Sequence, residues 1–343
     1  MPIKRLGLVI HRGRSDAVKA ADVVRAWCAE NGIPCHEIDV WEDEQPRRHS
    51  QEEAIAAGHP DLIVTLGGDG TFLRGARIAR CDDSRVLGVD FGHVGFLTEV
   101  PSDQIRASLE AVHCDCAVAE KRMTLTLRTS RAVEIPEGMD SLLRHGRGPA
   151  LPSPTVLGSD DSAQEPGIAL DVVALNDIVL EKLARDRQVD LALYVGGHLL
   201  ASYSADAVIV ATPTGSTAYS FAAGGPILSP RLDALVFTPV APHMAFNRTV
   251  VTAADEPVTV RILPHSGPVA ISIDGQLRGV LGPGDWAEVG PADSRLNVVR
   301  FGEADFYRRV RNRFRLADAP AAVADGEAPA TFRPTASRPL VVD

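Results

Sequence analysis

Leu6-Gly7-Leu8-Val9-Ile10 is an uninterrupted apolar run, the pattern of a strand covered on both faces. From Ser15 to Asn31 the apolar positions take helical spacing, with Val23, Val24 and Trp27 as a stripe. Ser15 suits the N-cap of that helix, and Asn31-Gly32 suits a left-handed stop. Ile33 to Val40, Asp61 to Leu66 and Val86 to Val89 predict further strands, and Thr71 to Arg80 a further helix. Strands and helices in alternation over residues 1–120 predict an α/β N-terminal domain built on a Rossmann-like parallel sheet.

From about Lys121 the period changes. Thr124–Leu127, Asp190–Val195 and Ala270–Ile273 are alternating or β-branched runs between Gly/Pro turns. Residues 121–302 are therefore expected to form a mostly antiparallel β C-terminal domain. Within it, residues 132–167 are rich in Pro, Gly, Ser and Asp and predict a long, mobile surface insertion. Phe306 to Phe314 predicts a short basic helix that returns to the first domain, so that about 303–316 would complete it. Residues 317–343, with their Ala, Pro and acidic residues, predict a disordered tail. No internal repeat is visible.

Charge narrows the choice of partners. Thirty-five basic against 45 acidic residues give a formal charge of −10, which disfavours a nucleic-acid backbone or an anionic membrane as the main partner. A local basic pocket for phosphates remains compatible with it. The run from Met1 reaches His11 and Arg12 too soon for a signal peptide or a membrane span. Cys28, Cys35, Cys81, Cys114 and Cys116 contain no CxxC pair and read as reduced thiols of a cytoplasmic protein. Cys114-Asp115-Cys116 has no second pair to complete a tetrahedron, so no metal ligands are assigned.

The chemistry is concentrated at Gly67-Gly68-Asp69-Gly70-Thr71, which follows the strand Asp61–Leu66 and opens the next helix. A helix N-terminus at the carboxyl end of a parallel strand offers unpaired N–H groups and a positive dipole end. The glycines let a phosphate approach those groups. A carboxylate inside such a loop repels phosphate, so Asp69 calls for its own role. It can accept a proton from an attacking hydroxyl or hold a magnesium ion. The alternative is a glycine turn with Asp69 as an N-cap. The run is neither a Walker A loop nor a GxGxxG fingerprint.

GGDGT resembles the motif of NAD kinases, 6-phosphofructokinases and diacylglycerol- and sphingosine-type lipid kinases, which implies phosphorylation of a hydroxyl. A second run selects among them. Asp206 precedes the apolar segment Ala207–Ala211, and Thr212 to Tyr219 is a dense set of hydroxyls broken by Pro213 and Gly215. Such a turn offers several donors and acceptors, with Tyr219 as a flat face for a base; a hairpin turn with a core tyrosine is the plainer alternative. TPTGSTAYSFAAGGPI, beginning at Thr212, resembles the defining segment of bacterial NAD kinases. Ala174-Leu175-Asn176-Asp177, Phe91 to Thr98 and Ser272 to Gln276 also match patterns of that family, in family order, over roughly residues 5–130 and 168–315.

That resemblance implies an enzyme that phosphorylates the adenosine 2′-hydroxyl of NAD to give NADP. ATP or polyphosphate would be the donor, with Mg2+ or another divalent metal. Asp69 would take the proton, with Gly67, Gly68, Gly70 and Thr71 around the phosphates. Arg74 would contact phosphate or dinucleotide. Asn176 and Asp177 would bond ribose and adenine groups, and Thr217, Ala218, Tyr219 and Ala222 would line the adenine pocket. Asp206 would hold a ribose or the nicotinamide end, while Phe96, Arg187 and Gln276 match other nucleotide-contacting positions. His93 lies in the same glycine-rich run and is equally compatible with a turn held by backbone. A homodimer or homotetramer is implied as well.

The chain departs from the family at three places. Asp177 stands where Glu is usual, one methylene shorter; Ala207 stands where Gly usually follows Asp206; and Ser204 is small where some members carry Arg, which would leave room for NADH. A lipid kinase would share GGDGT and leave the Thr212–Tyr219 run without a use. A non-catalytic nucleotide sensor would keep the pocket and have no need of a carboxylate at 69.

Overall fold

The computed structural model describes residues 2–40, 49–92, 95–136, 139, 151–160, 167–244, 246–301 and 306–316. Strand β1 (Leu6–Ile10) is buried at every position, as its unbroken apolar run requires. Helix α1 (Ser15–Glu30) buries Ala17, Ala20, Ala21, Val24, Trp27 and Cys28. Val23 points outward, so the core face runs through Val24 and small alanines, at i, i+3 and i+4 spacing. Ser15 is the first helical residue and the N-cap position falls to Arg14. The expected stop is present: Gly32 has φ +64°, and the Ile33 N–H bonds to the Cys28 carbonyl at 2.9 Å, closing a Schellman turn.

The chain continues through β2 (Cys35–Glu37), α2 (Ser50–Ala56), β3 (Leu62–Leu66), α3 (Asp69–Ala79), β4 (Arg85–Asp90), β5 (Val100–Pro101), α4 (Ile105–His113) and β6 (Val118–Arg122). Strands β2, β1, β3 and β4 lie side by side and parallel, which is the sheet that the alternation predicts.

Residues 125–291 form the β half. Its strands are β7 (Leu125–Thr129), β8 (Val156–Asp160), β9 (Gly167–Ala174), β10 (Asp177–Lys182), β11 (Val189–Val195), β12 (His198–Ala205) and β13 (Ala207–Ala211). After α5 (Tyr219–Ala222) come β14 (Ala234–Val240), β15 (Val250–Ala253), β16 (Val258–Ile262), β17 (Val269–Ile273), β18 (Gln276–Leu281) and β19 (Trp286–Pro291). One sheet has the order β12-β11-β16-β19-β7-β9-β8, the other β15-β14-β13-β10-β17-β18, and every pairing in both is antiparallel. Leu125, Leu127, Leu191 and Val260 from the first sheet share one core with Leu180, Val210, Phe237 and Ile271 from the second.

Two features differ from expectation. Strand β20 (Leu296–Arg300) leaves the β half and enters the first sheet between β4 and β6. The late segment that joins that sheet is therefore 296–300, upstream of 303–316. Its buried Leu296, Val298 and Val299 need cover on both faces, which only a central position supplies. Secondly, the span 132–167 is not structureless throughout. Val133 is buried in the β core, Glu134 bridges to Val280, and β8 pairs with β9.

Contacts place residues 1–304 in one compact unit and 305–343 in a second. The described part of the second is helix α6 (Phe306–Arg313), in which the Phe306 and Tyr307 rings meet edge to face at 5.4 Å. The tail expected at 317–343 and the turn residue His93 lie outside the described residues. Among the described residues no helix is long and apolar enough to cross a membrane.

Candidate active site

Strand β3 ends at Leu66 and α3 begins at Asp69, with Gly68 at the N-cap and no side chain capping the helix. Asp69 is thus not the cap. Its carboxylate turns instead to the loop after β4, accepting the Phe96 N–H at 3.1 Å and the Leu97 N–H at 3.2 Å. Gly95 permits that approach, since a Cβ there would stand 2.2 Å from the Asp69 carboxylate. The glycines of the loop divide by role. A Cβ on Gly67 would meet Thr71 Oγ1 at 2.3 Å, so Gly67 serves packing; a Cβ on Gly68 or Gly70 would meet nothing within 4 Å. These two open positions face the same cavity.

That cavity has a volume of about 820 Å³. Gly68, Gly70, Thr71 and Arg74 of the helix N-terminus line one side. His11 and Arg14, just past the carboxyl end of β1, line it too, as do Arg77 and Arg80, one and two turns beyond Arg74. Arg77 is paired with Glu53 at 2.8 Å and with the Ser50 hydroxyl at 2.8 Å, and Arg80 with Asp171 at 3.0 Å. Sequence reasoning missed His11, Arg14, Arg77 and Arg80. The signals were present: the carboxyl ends of parallel strands converge on ligands, and positions 74 and 77 share a helix face. A cationic wall in an acidic protein suits a polyanion.

The opposite wall is β: Asn176, Asp177, Glu181, Ala218, Tyr219 and Gln276. Asn176 and Asp177 are held by Asp274, whose carboxylate accepts three successive amides: Leu175 at 2.9 Å, Asn176 at 2.7 Å and Asp177 at 3.2 Å. Asp274 and Gly275, at φ +48° and +74°, form the two-residue turn of the β17–β18 hairpin. The turn thus both closes a hairpin and clamps the start of β10. Asp274 also lines the cavity.

Asp177 and Asp274 form a carboxyl pair. Burial first, then the charge of Asp274, pushes Asp177 up to about 7 against the pull of the Tyr219 amide. Burial pushes Asp274 up to about 6 against its three amide donors. Both lie above the unfolded value near 4, so the folded state retains protons that the unfolded chain releases. Stability from this pair is present in acid and is lost as pH rises from about 4 to about 7. Asp177→Asn, which cannot ionise, is therefore expected to melt above wild type at pH 8, with the gap narrowing toward pH 5. A gap independent of pH in calorimetric scans would refute it.

Other expected contacts lie elsewhere. Asp206 accepts Lys182 Nζ at 2.6 Å and Arg187 is exposed in the β10–β11 turn, both at the far end of β10 from Asp177. Ser204 donates to Gln188 Oε1 at 3.2 Å in the same region. Thr217, whose hydroxyl bonds to the Thr214 carbonyl, and the exposed Ala222 flank the cavity residues without lining it; Phe96 contributes its amide to Asp69.

An uncapped glycine-rich helix N-terminus faces an antiparallel β wall across one cavity, an arrangement suited to a nucleotide with its phosphates on the helix side. Residues 14–115 match the model of the ATP-NAD kinase N-terminal domain, and residues 175–301 that of the ATP-NAD kinase C-terminal domain. The chain is 62% identical to NAD kinase 1 of Streptomyces avermitilis over 339 residues, covering 99% of this chain and 94% of that protein. NAD kinase 1 of Streptomyces coelicolor is likewise 62% identical, at 99% and 93% coverage. Yeast NADH kinase, solved with NADH, superposes with a TM-score of 0.72 at 20% identity, over 93% of this chain and 89% of that one; at such identity the likeness concerns fold. The chain belongs to the NAD kinase family.

Proposed function

We propose that this protein phosphorylates the 2′-hydroxyl of the adenosine ribose of NAD, giving NADP, with ATP as donor. The observation that carries this reading is the single cavity that joins Gly68, Gly70 and Thr71 to Asn176, Asp177 and Tyr219. The N–H groups at the start of α3, with Arg14 and Arg74, would receive phosphates. Asn176, Asp177 and Tyr219 would orient the nucleoside so that its ribose faces the phosphate loop. Asp69 would accept the hydroxyl proton as the O–P bond forms. Asp69 does not itself line the cavity that Gly68 and Gly70 face; two amides hold its carboxylate on the Phe96–Leu97 loop, and catalytic contacts commonly tighten only when substrate is bound.

Among the described residues no cluster of three or more His, Cys, Asp or Glu could hold a metal. Mg2+ commonly keeps several waters and is held through substrate phosphates with one or two carboxylates, and Asp69 is the one carboxylate in the phosphate loop. Bound there, the ion would neutralise charge on the transferred phosphoryl group. Polyphosphate would use the same backbone and arginine contacts. We also take the enzyme to be cytoplasmic, in keeping with five free cysteines, and a homodimer or homotetramer. Arg187 and Asp206, which do not line this chain's cavity, would then be candidates to meet a nucleotide across a subunit contact.

The test is direct. Purified protein with NAD, ATP and magnesium is expected to make NADP, read by an NADP-specific dehydrogenase. No product at millimolar substrate would overturn the reading, and calorimetric binding of NAD without turnover would favour a sensor.

A further inference from the structure

A buried series of charged side chains connects the two loops of this site, and none of its charged members lines the cavity. At one end the Leu97 carbonyl, whose residue also gives its amide to Asp69, accepts Nη1 of Arg300 at 3.2 Å. The same nitrogen donates to Glu99 at 2.8 Å, and Nε of Arg300 donates to Glu120 Oε2 at 3.1 Å. That one oxygen also accepts Nη2 of Arg122 at 2.8 Å. Nη1 of Arg122 then donates to the Thr214 hydroxyl at 3.2 Å, inside the turn that leads to Ala218 and Tyr219. Arg122, Arg300 and Thr214 are only 5%, 4% and 6% exposed.

The supports are rigid. Glu120 and Arg122 are alternate residues of β6 and project to one face, and Arg300 closes the neighbouring β20, which pairs with β6 in register. Burying two guanidinium groups costs several kcal/mol each, and apolar residues often stabilise such a place equally well. Burial pushes Glu120 up, but Arg122 and then Arg300 more than reverse this and hold it below the usual carboxylate range. Glu120 is therefore held as a carboxylate between its two guanidinium partners, and each end of the network lands on one of the loops that carry the site.

We propose that Arg300, Glu120 and Arg122 are positioning residues for phosphoryl transfer, fixing the amides that aim Asp69 relative to the turn that holds the nucleotide. The proposal rests on the NAD kinase reading above. It makes the two ends separable, because Arg300 acts on the base and Arg122 on the nucleotide.

The experiment uses the full chain, with NADP formation measured against NAD at saturating ATP, calorimetric NAD affinity, and melting temperature. Arg300→Ala is expected to lose about tenfold or more in kcat with KM for NAD within twofold, and Arg300→Lys to recover part of the loss. Thr214→Val, which keeps the shape and deletes the hydroxyl, is expected to weaken NAD about tenfold with kcat within threefold. Glu120→Gln is expected to shift both. A twofold or smaller change in every parameter, or losses that merely follow the folded fraction, would overturn the proposal. If Arg300→Ala does not fold, Thr214→Val and Glu120→Gln decide it. Inactive wild type would fail the kinase reading alone, since the NAD affinities of Thr214→Val and wild type would still test the relay.

Discussion

Asp69→Asn is expected to lower turnover by about 10²–10⁴-fold, the usual loss on removing a general base, while NAD affinity stays within a few-fold. The substitution keeps size and position, and the binding wall at Asn176, Asp177 and Tyr219 does not include residue 69. It has a structural side effect that can be foreseen. The carboxylate accepts two amides, from Phe96 and Leu97. An Asn side chain has one acceptor oxygen, so one amide faces an N–H donor instead, at a cost of about 1–3 kcal/mol. Turnover must therefore be compared at a temperature where both proteins are folded, checked by their melting curves. Steady-state kinetics within tenfold of wild type would remove Asp69 from the role of base. An unchanged calorimetric NAD affinity beside a collapsed kcat would exclude a passive sensor that merely tolerates the carboxylate.

Local pattern made the first half of the fold legible. Strand β1 carries an unbroken apolar run and β3 one interrupted only by Thr65, and the Asn31-Gly32 stop fixes where α1 ends. It gave less in the β half, where long-range pairing decides. Nothing local marks Leu296–Arg300 as a strand that inserts between β4 and β6, because its partners lie 170 or more residues earlier. The insertion misled for a related reason at one end, where Val133 joins the β core and Glu134 bridges to Val280 far along the chain; β8 instead pairs with the adjacent β9. The site divides the same way. Backbone-determined features such as the GGDGT turn were readable from composition and spacing. The Asp274 clamp was not, because a side chain in one hairpin turn reaches amides 97 to 99 residues away. Arg187 and Asp206 show the converse: motif matches carry residue identity without saying which end of a strand they occupy.

The glycines offer a second large effect, and one that separates packing from chemistry. Gly215→Ala is expected to raise KM for NAD by about 10²-fold and to lower the melting temperature. A Cβ on Gly215 would stand 2.0 Å from the Asn176 carbonyl oxygen, 2.4 Å from its carbon and 2.6 Å from its Cα. All three atoms are backbone, so no side-chain rotation relieves the clash. Nor can the Asn176 peptide retreat freely: Asp274 holds the amides of residues 175–177, and the Thr212 amide and hydroxyl hold the Asn176 and Leu175 carbonyls at 2.9 and 2.6 Å. Overpacking of this kind costs about 1–3 kcal/mol or more, and an ångström of displacement at substrate-positioning residues costs about 10²-fold. Gly70→Ala should behave oppositely in stability. Its Cβ meets nothing within 4 Å, and Ala is the better helix former by about 1 kcal/mol, so the melting temperature should hold or rise. The new methyl would nevertheless stand where phosphate approaches the helix N-terminus, so the rate with ATP should fall. Measuring KM for NAD, rate with ATP and melting temperature on both variants decides the matter. Loss of stability in Gly70→Ala, or wild-type NAD kinetics in Gly215→Ala, would show that the two glycines have been assigned the wrong roles.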